Sequence, residues 1–91
     1  MTNKTFLVLG SNSFSGSNLI YQLLNDNSGN RVIGISRSKE NKGYFLKYKQ
    51  STNLRNFKFY QCNIKKTSQI LKLVDKFKPN YIINYSALGM V

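Results

Sequence analysis

The residues best placed to do chemistry are a run of small ones, Gly10-Ser11-Asn12-Ser13-Phe14-Ser15-Gly16, directly after the apolar stretch Phe6-Leu7-Val8-Leu9. A buried strand that runs into a small-residue turn and then a helix gathers backbone N–H groups around one point. The positive end of the helix dipole adds to them, and the result is an anion site. Gly10 lets the chain turn sharply after the strand. Gly16 has no Cβ, so the helix can lie close to the sheet or to a phosphate. Between them the amides of Asn12, Ser13, Phe14 and Ser15 can point at a diphosphate, and the hydroxyls of Ser11, Ser13 and Ser15 can donate further hydrogen bonds. The competing reading is a Ser/Asn/Gly-rich loop with no ligand. Position favours the ligand, because the turn lies between an apolar run and an amphipathic helix, and a second strand ends near residue 36.

Other chemistries lack material. The 91 residues include no histidine, one cysteine (Cys62) and three acids, Asp26, Glu40 and Asp75. Triads and metal clusters have almost nothing to work with, and no internal disulfide can form. Cys62 reads as a small buried residue, and Tyr21, Tyr60 and Tyr81 as core or boundary aromatics. The formal net charge of +11 raises the question of nucleic acid. Seven basic residues, Arg37, Lys39, Lys42, Lys47, Lys49, Arg55 and Lys58, lie close together, with Tyr44, Phe45 and Tyr48 among them. A solvated basic surface is the plainer reading, because lysine and asparagine are both abundant along the chain. Attraction of phosphate ligands is a third. No apolar stretch approaches the ~18 residues of a membrane span and no signal peptide is evident, so the expectation is a soluble cytoplasmic protein without membrane partners.

The elements that must position the turn alternate between strand and helix, the pattern of an α/β sheet. Strands are expected at Thr5–Leu9, Arg31–Ser36, Phe57–Gln61 and Tyr81–Tyr85. The first and last are nearly all apolar, as suits parallel strands covered on both faces. A helix is expected at Ser15–Asn25, with Leu19, Ile20, Leu23 and Leu24 on one face, and stopped by left-handed Gly or Asn within residues 26–30. A second is expected at Thr67–Phe77, with Ile70, Leu71, Val74 and Phe77 on one face. Lys76 and Lys78 suit its negative end, and Pro79 forbids continuation. Residues 40–56 read either as a short helix, with Tyr44, Phe45, Leu46 and Tyr48 covering a sheet face, or as an irregular crossover. Right-handed crossovers then give strand order 3-2-1-4, with a ligand crevice where the order reverses between strands one and four.

Phe6–Leu19 resembles the opening of the extended short-chain dehydrogenase/reductases, the NAD(P)-dependent epimerases and dehydratases of nucleotide sugars. Their motif Gly-x-x-Gly-Phe-x-Gly is met by Gly10, Phe14 and Gly16, followed by Ser17 and Leu19, while Ser13 replaces the middle glycine. Gln61-Cys-Asn-Ile64 resembles their Gly-Asp-Ile/Leu segment, which implies adenine contacts from Asn63 and Ile64, with Asn63 in place of the acid. Pro79–Ala87 resembles their Pro-Asp-x-Val-x-Asn-x-Ala-Ala run. That likeness implies Ser86 and Ala87 beside the ribose and nicotinamide.

The resemblance implies a Rossmann-type doubly wound parallel sheet, with residues 1–91 as the N-terminal part of one NAD(P)-binding domain, truncated after the fourth strand. NAD-preferring members place an acid at the end of the second strand to bind the ribose 2′-hydroxyl. Here Ser36-Arg37-Ser38 stands there, and a guanidinium flanked by hydroxyls suits a 2′-phosphate, which favours NADP over NAD. The family's reaction needs Tyr-x-x-x-Lys, and none of the six tyrosines has a lysine four residues later. No catalytic residue is therefore assigned. The full-length enzyme would oxidise a nucleotide sugar transiently, and these residues would hold the adenosine and diphosphate. A homodimer would form through regions outside this chain. Two other functions remain open, a non-enzymatic NADP-binding sensor or scaffold and a small basic nucleic-acid binder.

Overall fold

A computed structural model of the chain describes residues 4–26, 29–40, 46–62 and 67–85. Its elements run β1 (Thr5–Leu9), α1 (Phe14–Asp26), β2 (Arg31–Ser36), two 3-10 turns (Lys47–Gln50 and Leu54–Asn56), β3 (Phe57–Gln61), α2 (Thr67–Phe77) and β4 (Tyr81–Asn84). The four strands form one parallel sheet in the order β3-β2-β1-β4. Architecture and order are those expected from the sequence.

Alternation along β1 explains why the strand is apolar throughout. Phe6 and Val8 face α1, where Val8 packs with Ile20, Leu24, Val32, Leu46 and Tyr48. Leu7 and Leu9 face α2, where Leu7 packs with Ile33, Ile35 and Cys62 against Ile70, Leu73, Val74 and Phe77. Both faces are covered, so both side-chain parities must be apolar.

Several details differ from expectation. β4, expected to be covered on both faces, leaves Tyr81 50% and Ile82 54% exposed. On α2 the buried face is Ile70, Leu73, Val74 and Phe77, while Leu71 is 59% exposed. Positions 70, 73, 74 and 77 follow the i, i+3, i+4, i+7 stripe, and Leu71 falls one step outside it. The expected left-handed stop of α1 lies in part outside the described residues, at Asn27; Gly29 and Asn30 are not left-handed, and the buried Asn30 donates its amide to Leu23 O at 2.8 Å, satisfying a terminal carbonyl. Among the described non-glycine residues Lys78 is left-handed, with φ 46°, closing α2 just before Pro79.

The undecided crossover resolves in part. Leu46 and Tyr48 do cover the α1-side sheet face, from short 3-10 turns, while Tyr44 and Phe45 lie outside the described residues. Asn53 Nδ2 donates to Leu24 O and Ser51 Oγ to Asn25 Oδ1, both at 2.8 Å, which pins this segment to α1. Asn80 fixes the β4 register, because its N–H donates to Thr5 O and its Oδ1 accepts from Thr5 N, each at 2.8 Å. Among the described residues no helix is long and apolar enough to cross a membrane, and no cluster suits a metal ion.

Candidate functional site

The turn after β1 is held tightly. Gly10 adopts φ 87°, a conformation costly for any residue with a Cβ, and its N–H donates to Ile35 O of β2 at 2.7 Å. Ser13 is the N-cap of α1, where its Oγ accepts from Gly16 N at 2.9 Å and donates to Gly10 O at 2.7 Å. Gly16 is required for this packing, since a Cβ there would meet Gly10 O and come within 2.9 Å of Ser13 Oγ. The space that Gly16 leaves therefore admits the turn itself.

These contacts revise the donor set expected from the sequence. The Ser13 hydroxyl is spent on Gly10 O, and the Ser13 amide on the same carbonyl at 3.0 Å. Ser11 is fully buried, its Oγ has no partner among the described residues, and its Cβ lies against Gly34 of β2, so it does not face a ligand. What remains at the mouth is the amides of Phe14 and Ser15. These open α1 and have no acceptor among the described residues, and both side chains are exposed. An unpaired pair of amides at a helix start is the donor arrangement an anionic oxygen needs. Asn12 lies in the turn beside them.

The second group lies at the end of β2. Asn12 Nδ2 reaches across to Ser36 Oγ at 3.2 Å, Ser38 Oγ at 3.0 Å and Lys39 O at 2.7 Å. Turn and strand end are therefore joined through Asn12, Ser36 and Ser38. Arg37 is exposed beside them and makes no ion pair among the described residues. Its carbonyl accepts from Gln61 Nε2 at 3.1 Å, and Cys62 N donates to Ser36 O at 2.8 Å, so the end of β3 steadies this loop.

Beyond the loop, the buried Tyr48 donates its hydroxyl to Glu40 Oε2 at 2.6 Å, and Lys49 pairs with Glu40 Oε1 at 3.1 Å. Burial pushes the Tyr48 phenol well above its ordinary value, and the Glu40 hydrogen bond and charge push it the same way. Burial also raises the Cys62 thiol, whose Sγ donates to Gln69 Oε1 at 3.2 Å. A protonated, hydrogen-bonded thiol is a poor nucleophile, as the sequence reading expected of Cys62.

The structure thus brings together Gly10, Asn12, Ser13, Phe14, Ser15, Gly16, Ser36, Arg37 and Ser38. The remaining expected site residues, Asn63, Ile64, Ser86 and Ala87, lie outside the described residues. Sequence reasoning missed Gly34, where a Cβ would lie 2.7 Å from both Ser11 Cβ and Phe57 Cζ. A lone glycine inside the apolar strand Val32-Ile33-Gly34-Ile35 was the available signal of a close approach. It also missed the Glu40–Tyr48–Lys49 cluster, whose members carry no mark of mutual contact in the sequence.

Comparison with known proteins agrees with the fold. The family described as GDP-mannose 4,6 dehydratase matches residues 7–91. No curated protein matches. Among solved structures, dTDP-glucose 4,6-dehydratase from Bacillus anthracis, in complex with NAD, is similar at a TM-score of 0.78 and 19% identity, over 96% of this chain and 28% of that one. UDP-glucose-4-epimerase from Stenotrophomonas maltophila, with bound NAD and formylated UDP-arabinopyranose, is similar at a TM-score of 0.71 and 15% identity, over 92% of this chain and 24% of that one. UDP-N-acetylglucosamine 4-epimerase from Methanobrevibacter ruminantium, in complex with UDP-N-acetylmuramic acid, is similar at 0.66 and 20%, over 100% and 28%. The chain spans about a quarter of the length of these structures.

Proposed function

The chain belongs to the GDP-mannose 4,6-dehydratase family, and from that premise we propose that it forms the part of an NAD(P)-dependent nucleotide-sugar dehydratase or epimerase that holds the cofactor's adenosine and diphosphate. The observation that carries this reading is the pair of unspent amides of Phe14 and Ser15 opening α1, over a turn that Gly10 and Gly16 allow to close. The diphosphate sits against these amides. The adenosine ribose sits against the end of β2, at Ser36, Arg37 and Ser38. When bound, the nicotinamide would supply hydride exchange with the sugar carbon that bears a hydroxyl. This chain's residues bind and orient the cofactor and move no proton.

NADP is the favoured cofactor. Arg37 offers a guanidinium uncommitted to any acid, and two serine hydroxyls stand on either side of it. Such a donor set suits a phosphate better than a ribose hydroxyl. The Bacillus anthracis and Stenotrophomonas maltophila structures hold NAD, so the NADP preference rests on the residues of this chain. The nucleotide-sugar substrate, a homodimer through regions outside this chain and a cytoplasmic setting follow from the same reading, with neither nucleic acid nor membrane as partner. The test is titration of NADP and NAD into the chain, with an Arg37→Ala control. NADP should bind more tightly, and Arg37→Ala should remove the difference. Equal affinity in the parent would refute the NADP preference, and no binding of either would refute the cofactor site.

A further inference from the structure

The orientation of the Asn12 carboxamide follows from its partners. Lys39 O can only accept a hydrogen bond, so the group 2.7 Å from it must be the NH2. One of its two N–H bonds goes to Lys39 O, and the other is shared between Ser36 Oγ and Ser38 Oγ. Ser36 Oγ further accepts from Ser38 N at 3.4 Å, and the two hydroxyls share one hydrogen bond at 3.3 Å. Two hydroxyls carry two protons, and their mutual bond uses one. The other proton has no acceptor among the described residues.

The nearby acid does not supply that acceptor. Glu40 turns one oxygen to Tyr48 and the other to Lys49. With Arg37, which has donors only, the end of β2 presents protons and almost no open lone pair. A ribose 2′-hydroxyl must place a proton of its own, whereas a phosphate monoester dianion only accepts. Resting on the NAD(P) reading above, we propose that Asn12 is a positioning residue for cofactor choice: its remaining N–H, shared between the Ser36 and Ser38 oxygens, biases the pair to turn a serine proton outward and so selects a 2′-phosphate over a 2′-hydroxyl. It acts through Ser38 and Ser36 on a group that it need not touch.

The experiment measures NADP and NAD affinity by calorimetry for the parent chain, Asn12→Ala, Ser38→Ala and the double variant. Loss of a hydrogen bond to a charged group predicts that each single change weakens NADP about tenfold or more beyond its effect on NAD, so that the NADP-to-NAD affinity ratio falls. The double variant should lose little beyond either single one, because both act through one proton. Ser38 is exposed, so Ser38→Ala keeps the proposal falsifiable even if Asn12→Ala does not fold. A general loosening of the turn would weaken NADP and NAD together and would overturn the proposal. A parent that prefers NADP, with the ratio unchanged in both single variants, would overturn it while leaving the NAD(P) reading intact. A parent that binds neither dinucleotide would overturn both.

Discussion

Gly34→Ala is the substitution that best probes how the site is supported. Gly34 lies in the middle of β2, and a Cβ there would come 2.7 Å from Ser11 Cβ, 2.7 Å from Phe57 Cζ and 2.8 Å from Phe57 Cε1. The Phe57 ring cannot simply withdraw, because it lies against the buried Tyr48 ring with centroids 4.3 Å apart. Ser11 is anchored by its N–H to Ile35 O, at 3.2 Å. Overpacking of this kind costs about 1–3 kcal/mol. Replacing glycine also restricts the unfolded chain, which returns about 0.4–1 kcal/mol. The steric cost exceeds the return, so a net loss of about 0.5–2 kcal/mol is expected by subtracting the two. Urea unfolding followed by far-ultraviolet circular dichroism measures it. Phe57→Leu removes the two ring atoms in the way, so Gly34→Ala should cost less in that background, with a coupling of about 0.5 kcal/mol or more. Because Ser11 adjoins Gly10, the same change should also weaken NADP. Gly34→Ala with parental stability, or fully additive with Phe57→Leu, would refute the close approach.

Three further outcomes are expected. Ser11→Ala removes a buried hydroxyl without a partner among the described residues and should raise stability by roughly 1 kcal/mol in urea unfolding, the lower end of an unmet desolvation cost. Ser13→Ala removes the α1 cap and should cost about 1 kcal/mol, whereas Ser13→Gly should cost only a few tenths. Tyr48 keeps its proton in the fold beyond the pH at which the unfolded chain releases it, since its folded pKa lies above the ordinary 10.0. The folded state then binds more protons above pH 10, so this contribution to stability is complete below about pH 10 and declines as pH rises past it. Tyr48→Phe should flatten that alkaline decline relative to the parent, and parallel curves would contradict it.

The sheet was readable because β1, β2 and β4 are short, mostly apolar runs, β3 is a short aromatic-rich one, and small residues mark the first turn. β1, β2, β3 and α2 begin and end where the pattern places them. The crossover was not readable, since 3-10 turns leave no helical stripe and Leu46 and Tyr48 are buried from an irregular path. Leu71 was misassigned because the apolar residues of α2 fit two overlapping stripes, and only the sheet decides which is covered. The site was half readable. Residue types pointed to the turn glycines Gly10 and Gly16, but Ser13 and Ser11 look alike in sequence and differ in fate. One caps the helix, and the other is buried against Gly34. The role of Asn12 was out of reach because its partners lie 24 to 27 residues away.

The central claim is that the turn between β1 and α1 holds a dinucleotide diphosphate. Titration of NADP into the isotope-labelled chain, followed amide by amide in nuclear magnetic resonance spectra, tests it most directly. The largest shifts should fall on the Phe14 and Ser15 amides, with a second group at Ser36, Arg37 and Ser38. Saturable NADP binding with those amides unmoved, or no binding at millimolar NADP, would contradict it.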